Sequence, residues 1–293
     1  MHRYLLHNDD LRDVSERFLS PGQTGLVNGW GVFSTLRVLN GVLFAFERHW
    51  ARMTRDAARM HVPMPPSAEE LHAALLRLVK ANGAWNATLR VMVVRNTGGM
   101  YDAPGITRPY DVIAFTKDLT QWSSSVRLAC KPNARYGANE FAGAKILSWS
   151  PNLTWYEESR QRGYDEVVLL DEHGRVSECT SANIFAIFGD TVITPSLESG
   201  CLPGITREIL LNEITVPGIT IREGDLRPTD LEGADAVFIT SSTRELLRVQ
   251  EIEGLQVPQG ASGTLGTLQN AFSQFITEYE AKARQSEYVT TNE

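Results

Sequence analysis

The stretch from Gly143 to Phe185 constrains this chain more than any other. It opens Gly143-Ala144-Lys145-Ile146-Leu147-Ser148-Trp149-Ser150 and passes through Gly163-Tyr164-Asp165-Glu166-Val167-Val168-Leu169-Leu170. It ends on Gly174-Arg175-Val176-Ser177-Glu178-Cys179-Thr180-Ser181-Ala182-Asn183-Ile184-Phe185. Short apolar runs broken by glycine turns predict strands at Asp165–Leu170, Arg175–Glu178 and Asn183–Phe188, with a helix near 152–162. Lys145 comes after two small residues and precedes an apolar pair, which suits a side chain emerging into a protected cavity. A lysine desolvated in this way is what Schiff-base chemistry needs. Glu178 closes a short strand among small polar residues, where a carboxylate calls for a cationic partner such as a pyridinium nitrogen. Taken alone, a lysine is more often a surface charge and a glutamate a solvated one, so composition leaves both roles open.

Four pieces of this stretch together resemble the core signature of the class IV, fold-type-IV pyridoxal-phosphate enzymes. They are Ala144-Lys145, Gly163-Tyr164-Asp165-Glu166, Gly174-Arg175-Val176-Ser177-Glu178 and Ser181-Ala182-Asn183-Ile184-Phe185. That group includes branched-chain aminotransferases, D-amino-acid aminotransferases and aminodeoxychorismate lyases, and the resemblance runs from about Gly29 to Gly254. It implies a two-domain α+β fold: a small N-terminal α+β domain and a larger, β-rich C-terminal α/β domain that binds pyridoxal 5'-phosphate. It further implies that Lys145 carries the cofactor as a Schiff base and moves the substrate proton, while Glu178 faces the ring nitrogen. A homodimer with its active site near the subunit boundary is the family expectation.

Earlier in the chain, Gly29-Trp30-Gly31 hints at a dinucleotide fingerprint, but the residues after it are strand-like, not the helix a pyrophosphate site requires. Val32–Leu39 and Val42–Phe46 flank Asn40-Gly41, a strong hairpin signal. Glu47–Met60 reads as a helix with an apolar stripe at Trp50, Met53, Ala57 and Met60. Arg48, Arg55 and Arg59 on its other side read as a solvated basic face. Arg48-His49-Trp50-Ala51-Arg52 resembles the family's His-x-x-Arg motif, which assigns Arg52 to the cofactor phosphate, a match for its planar fork. His49 reads as a packed structural histidine. Ser67 with Glu70 forms a capping box for a helix to Asn82, ended at Gly83. Two more strands fall at Thr88–Arg95 and Asp111–Thr116. The expected division is a first domain over 1–117, a polar linker over 118–125 and a second domain over 126–293.

In the second domain, Leu202-Pro203-Gly204-Ile205-Thr206-Arg207 resembles the branched-chain aminotransferases. It places Gly204, Ile205 and Thr206 at a helix N-terminus suited to phosphate. Ala236–Thr240 reads as a strand delivering Ser241, Ser242 and Thr243 to a loop. By family likeness Ser241 and Ser242 serve the phosphate and Thr243 the substrate pocket; clustered hydroxyls also commonly satisfy turn backbone. Phe33 is a candidate substrate-binding residue, and Arg90 or Arg95 a candidate grip on a substrate carboxylate; either arginine could equally be a surface strand charge. A last helix over 263–284 leaves a loose tail over 285–293.

The formal charge of −7 gives no basic footprint for nucleic acid, and no window is long and apolar enough for a signal peptide or membrane span. Cys130, Cys179 and Cys201 are widely spaced and odd in number, which points to a reducing, cytoplasmic setting without disulfides. No histidine spacing suggests a metal.

These readings imply a pyridoxal-phosphate transaminase that exchanges an amino group between an amino acid or amine and a 2-keto acid. An aminodeoxychorismate lyase releasing pyruvate and a non-catalytic cofactor-binding protein stay open beside it. Departures from the family limit the substrate. Ser150 stands where branched-chain enzymes have a tyrosine, and Asn28 replaces an aromatic. Phe33-Ser34-Thr35-Leu36-Arg37-Val38 resembles the lyases, whereas Pro203–Arg207 points back to the transaminases.

Overall fold

A computed structural model describes residues 1–100, 103, 105–257 and 262–290, with side chains to 285. The chain divides into two compact units. The first holds Met1–Thr120, Ala144–Trp149 and the end of the chain from Glu278. The second holds Gln121–Gly143 and Ser150–Thr277.

The first unit is built on β1 (Tyr4–His7), β2 (Asp10–Asp13), α1 (Thr24–Asn28), β3 (Gly31–Leu39), β4 (Val42–Leu43), α2 (Phe46–Arg59), α3 (Ala68–Asn82), β5 (Ala87–Arg95) and β6 (Tyr110–Asp118). Its six strands form an antiparallel sheet in the order β2-β1-β6-β5-β3-β4. Alternate residues Leu36, Val38, Leu89, Val91 and Val93 are buried with Met53 and Ala57 of α2 and Leu75, Leu78 and Val79 of α3. The period of two in the strands and the 3.6-residue period in the helices bury one face of each element in a common core. The hairpin at Asn40-Gly41 forms as expected, with φ of 47° and 91° at the two turn residues. Its second strand is shorter than expected, because Ala45 turns left-handed at φ 53° and α2 starts at Phe46. Ser67 caps α3 by accepting the Glu70 N–H at 3.0 Å, and Gly83 ends the helix at φ 58°.

The second unit is built on β7 (Ser125–Lys131), α4 (Ser150–Gln161), β8 (Glu166–Leu170), β9 (Val176–Cys179), β10 (Asn183–Phe188), β11 (Thr191–Pro195), α5 (Ile205–Asn212), β12 (Thr220–Gly224), α6 (Pro228–Glu232), β13 (Ala236–Ser241) and β14 (Glu245–Ile252). Its eight strands run β12-β11-β10-β13-β14-β7-β8-β9. β14, β7 and β8 are parallel neighbours, while β8–β9 and β10–β13 are antiparallel. The near-continuous apolar runs of β8, β10 and β13 are buried almost throughout, as strands covered on both faces must be. Helix α7 (Gly263–Thr290) belongs to this unit as far as Thr277.

The contiguous division expected from the sequence differs from the observed one in two places. Residues 144–149 join the first unit because they pair with β3: the Phe33 N–H donates to Lys145 O at 3.1 Å and the Leu147 N–H to Gly31 O at 2.9 Å. From Glu278 the last helix is also grouped with the first unit. There Tyr279 packs its ring on Phe44, with centroids 5.1 Å apart, and donates its hydroxyl to Glu47 at 2.7 Å. Helix α7 continues to Thr290, past the expected end at 284.

Candidate active site

Asn28 to Phe33 prepares the place for Lys145 in the first unit. Gly29 closes α1 in the left-handed region at φ 63°, and Gly31 begins β3. A Cβ on Gly31 would lie 2.4 Å from Val93 O and 2.6 Å from Leu147 Cδ1. Only glycine therefore lets β3 lie this close to β5 at this point, with the Leu147 side chain packed over it. Its Lys145 N–H donates to Asp56 Oδ2 on α2 at 2.9 Å. Asp56 is buried, and Arg55 satisfies its Oδ1 through Nε at 3.0 Å and Nη2 at 2.6 Å. With its main chain held on two sides, Lys145 lays Nζ 4.6 Å from the Phe33 ring centroid and 5.7 Å from that of Trp149. The two rings meet edge to face, 5.8 Å apart. The amine is half-buried between aromatic walls.

Four residues before Asp56, on the same helix face, Arg52 is 7% exposed. Its Nη2 donates to Ser34 Oγ at 2.8 Å, and Ser34 lies 2.7 Å from His49 Nδ1. With the serine accepting from arginine, its own proton goes to Nδ1, which assigns the imidazole hydrogen to Nε2. Burial, then the positive charges of Arg52 and Lys145, hold His49 well below the ordinary histidine range. Its place is that of a packed histidine. Of the neighbouring arginines, Arg55 is bound to Asp56, so it does more than face solvent.

The two candidate substrate arginines differ. Arg95 is committed to the main chain, donating to Thr97 O at 2.7 Å and His61 O at 2.6 Å, with its guanidinium 4.1 Å over Trp30. Arg90 stands opposite Thr35 on β5 and lays its guanidinium 3.9 Å over the Phe33 ring. Its Nε is buried, and its guanidinium has no hydrogen bond or ion pair among the described residues. Burial lowers its pKa.

In the second unit, Glu178 lies on β9 and is 8% exposed. Arg135 Nε donates to its Oε1 at 2.8 Å and the Leu202 N–H to its Oε2 at 3.1 Å. Arg135 is steadied in turn by Asn152 Oδ1 at 3.3 Å, and Asn152 donates to Thr180 O at 2.8 Å. The Leu202–Gly204 turn leads into α5. A Cβ on Gly204 would sit 2.0 Å from Asn183 Oδ1, so any larger residue there must displace the Asn183 side chain, which donates to Leu202 O at 2.8 Å. Ile205 and Thr206 are buried in the first turn of α5, and Thr206 Oγ1 has no partner among the described residues. The same holds for the buried Thr240 Oγ1 and Ser241 Oγ at the end of β13, just before Ser242 and Thr243. Burial pushes the Cys179 thiol well up and Cys201 to about 11, the Glu178 carboxylate adding to both, which suits neither to nucleophilic work. Among the described residues no cluster could hold a metal.

The groups described in each unit are of kinds that pyridoxal phosphate calls for. The first supplies a half-buried amine and an arginine. The second supplies a fixed carboxylate for a ring nitrogen and, at a helix N-terminus and a strand end, buried hydroxyls still lacking partners, the donors an anion needs. Sequence reasoning missed Asp56, Ser34, Arg135, Asn152 and Trp149. Asp56, Arg135, Asn152 and Trp149 stand in none of the motifs read from the sequence, and Ser34, within the lyase-like run, shows its bonds to His49 and Arg52 only in the fold.

The amino-transferase class IV family model matches residues 31–252, and the chain belongs to that family. Members of this class work with pyridoxal 5'-phosphate. The chain is 28% identical to the branched-chain-amino-acid aminotransferase of Salmonella typhimurium, over 87% of each chain. It is 27% identical to the D-alanine aminotransferase of Bacillus licheniformis, over 95% of this chain and 99% of that one. The structure of the branched-chain amino acid aminotransferase from Escherichia coli matches with a TM-score of 0.83 at 26% identity, covering 93% of both chains. The expected family, two-domain α+β fold and enzyme class are those found.

The buried histidine makes stability depend on pH. The unfolded chain takes up the His49 proton near pH 6.5 and the folded chain does not, so this contribution is full above about pH 6.5 and is lost as pH falls toward the folded value. His49→Gln is expected to flatten the acid limb of unfolding free energy by about 1.4 kcal/mol per pH unit. Urea titrations between about pH 5 and 7 measure the slope; equal slopes in the two proteins would show that His49 is charged in the fold.

Proposed function

We propose that this chain is a transaminase that moves an amino group between an amino acid or amine and a 2-keto acid, with Lys145 as the cofactor-bearing and proton-moving residue. The observation that carries the reading is the Lys145 amine set against Phe33 and Trp149, with its main chain tied to β3 and Asp56. When bound, pyridoxal phosphate supplies a carbonyl carbon that amines condense with and a ring that takes up electrons from the substrate Cα. Lys145 would take the proton from the substrate Cα and deliver it to the cofactor's carbonyl-derived carbon, on the far side of the shared nitrogen. Phe33 and Trp149 keep water from the amine. Glu178, aligned by Arg135 and the Leu202 N–H, holds the proton at the ring nitrogen. Arg52 would serve the cofactor phosphate, as would Gly204, Ile205, Thr206, Ser241 and Ser242.

Borohydride reduction of the purified protein followed by peptide mapping is expected to leave a phosphopyridoxyl label on Lys145. A label on another lysine, or none, overturns the assignment. A keto acid must also take up the amino group in a separate half-reaction. Pyruvate release from aminodeoxychorismate with no keto-acid acceptor would make the chain a lyase instead.

For the substrate carboxylate we take Arg90 over Arg95, because only Arg90 has a guanidinium without polar partners among the described residues. Charge-assisted hydrogen bonds of this kind are worth about 1.5–3 kcal/mol. Arg90→Gln is therefore expected to raise KM for amino acids roughly tenfold to a hundredfold and to leave KM for an amine without a carboxylate near its original value. Equal effects on both substrate types would show that Arg90 serves packing on Phe33.

We also read the working unit as a cytoplasmic homodimer. The Asn96–Thr107 loop supports it with Met100, which is 87% exposed; Tyr101 and Pro104 of that loop lie outside the described residues. An exposed methionine of this kind suits a contact with a second copy. Sedimentation at micromolar concentration is expected to give a dimer, and a fully active monomer there overturns it.

A further inference from the structure

One buried ion pair in the second unit has no part in the roles assigned above. Glu166, the first residue of β8, and Arg244, in the turn between β13 and β14, have side chains 1% and 6% exposed and meet at 3.1 Å. Arg244 Nη1 donates to Ser181 O at 3.0 Å and Nη2 to Ser181 Oγ at 2.9 Å. Ser181 passes its own proton to Glu166 Oε2 at 2.5 Å, and Thr180 donates its hydroxyl to Glu166 Oε1. The face of the guanidinium lies 4.2 Å over the Trp122 ring. Arg244 also closes its own turn, its main-chain N–H donating to Ser241 O at 3.2 Å.

The pair therefore joins two segments. One is the Thr180–Ser181 loop, which comes directly after β9 and Glu178. The other is the turn that begins at Ser241. A buried ion pair costs desolvation that its attraction only partly offsets, so packing alone is served as well by apolar side chains. What the pair adds is direction, because each hydrogen bond fixes a donor and an acceptor. The pattern of satisfaction supports this reading. The hydroxyls of Thr180 and Ser181 are spent on Glu166, whereas those of Thr240 and Ser241, close to Arg244 in the chain, have no partner among the described residues. The pair consumes one set of hydroxyls and holds the turn that begins at Ser241, at the end of the strand that carries the other.

We propose that Glu166 and Arg244 are positioning residues for the cofactor phosphate, locking the turn at Ser241 to the loop after Glu178 so that its hydroxyls are preset for phosphate oxygens. Neither side chain is assigned a contact with the cofactor. The inference rests on the cofactor reading above, and its test separates the two. Wild-type protein stripped of cofactor is titrated with pyridoxal phosphate and, separately, with pyridoxal, which lacks the phosphate; absorbance reports binding, and thermal unfolding of the stripped protein reports the fold. Arg244→Met is expected to weaken pyridoxal phosphate binding about tenfold or more, with pyridoxal affinity changed less than about twofold. Glu166→Gln keeps the size of the side chain and should show the same selective loss if Arg244→Met does not fold. Equal losses for both ligands, or unchanged affinity for pyridoxal phosphate in a folded variant, overturn the positioning role while leaving the cofactor reading intact. Wild-type protein that takes up neither ligand overturns both.

Discussion

The hydrogen bond from the Lys145 main-chain N–H to Asp56 Oδ2 is the constraint on which the first unit's site depends. A carboxylate that is 1% exposed needs several donors to offset its lost hydration, and Asp56 has Arg55 on one oxygen and the Lys145 N–H on the other. Its bond fixes one side of the 144–149 segment while the ladder bonds to Gly31 and Phe33 fix the other. A side chain whose main chain is held on both sides has few directions left, and Lys145 takes the one that lays Nζ against Phe33 and Trp149. Asp56 and Arg52 share one face of α2, so a single helix locates both the lysine's backbone and the arginine assigned to phosphate.

The second unit uses the same device with different atoms. Glu178 is held by one side chain and one main-chain N–H, as Asp56 is, and its partner Arg135 is itself fixed by Asn152. A carboxylate held at both oxygens cannot swing away from a ring nitrogen placed beside it. Geometry of this kind, set before a ligand arrives, costs no reorganisation when charge moves.

What was legible in the sequence divides along chain distance. Turn and cap chemistry is local, so Asn40-Gly41 and Ser67 could be read directly and appear as expected. Lys145 and Glu178 stood out because they sit within a recognisable run. Asp56 was not legible: its partner lies 89 residues away, and beside Arg55 it looks like half of a surface pair. Arg135, 43 residues from Glu178, was hidden for the same reason. The first two strands escaped because β2 is largely exposed and Tyr4–His7 has only two buried apolar residues, too few to show a period. The contiguous division failed because strand pairing, which draws 144–149 onto β3, leaves no mark in the segment itself.

Charge pairing within each unit gives Arg90 its meaning. Several buried or half-buried charges here are matched: Glu166 with Arg244, Glu178 with Arg135, Asp171 with Arg175, and the buried Arg207 with the exposed Glu223. In each pair the cost of removing a charge from water is offset by its counterpart. Arg90 breaks the pattern. Its Nε is buried, burial alone lowers its pKa, and its guanidinium has only the face of Phe33 among the described residues. Arg90 rests on the ring that also backs Lys145, and that placement supports proposing it for a substrate carboxylate. Of the two candidates, Arg95 is spent on the main chain, and it is therefore Arg90, without polar partners among the described residues, that is proposed for the substrate.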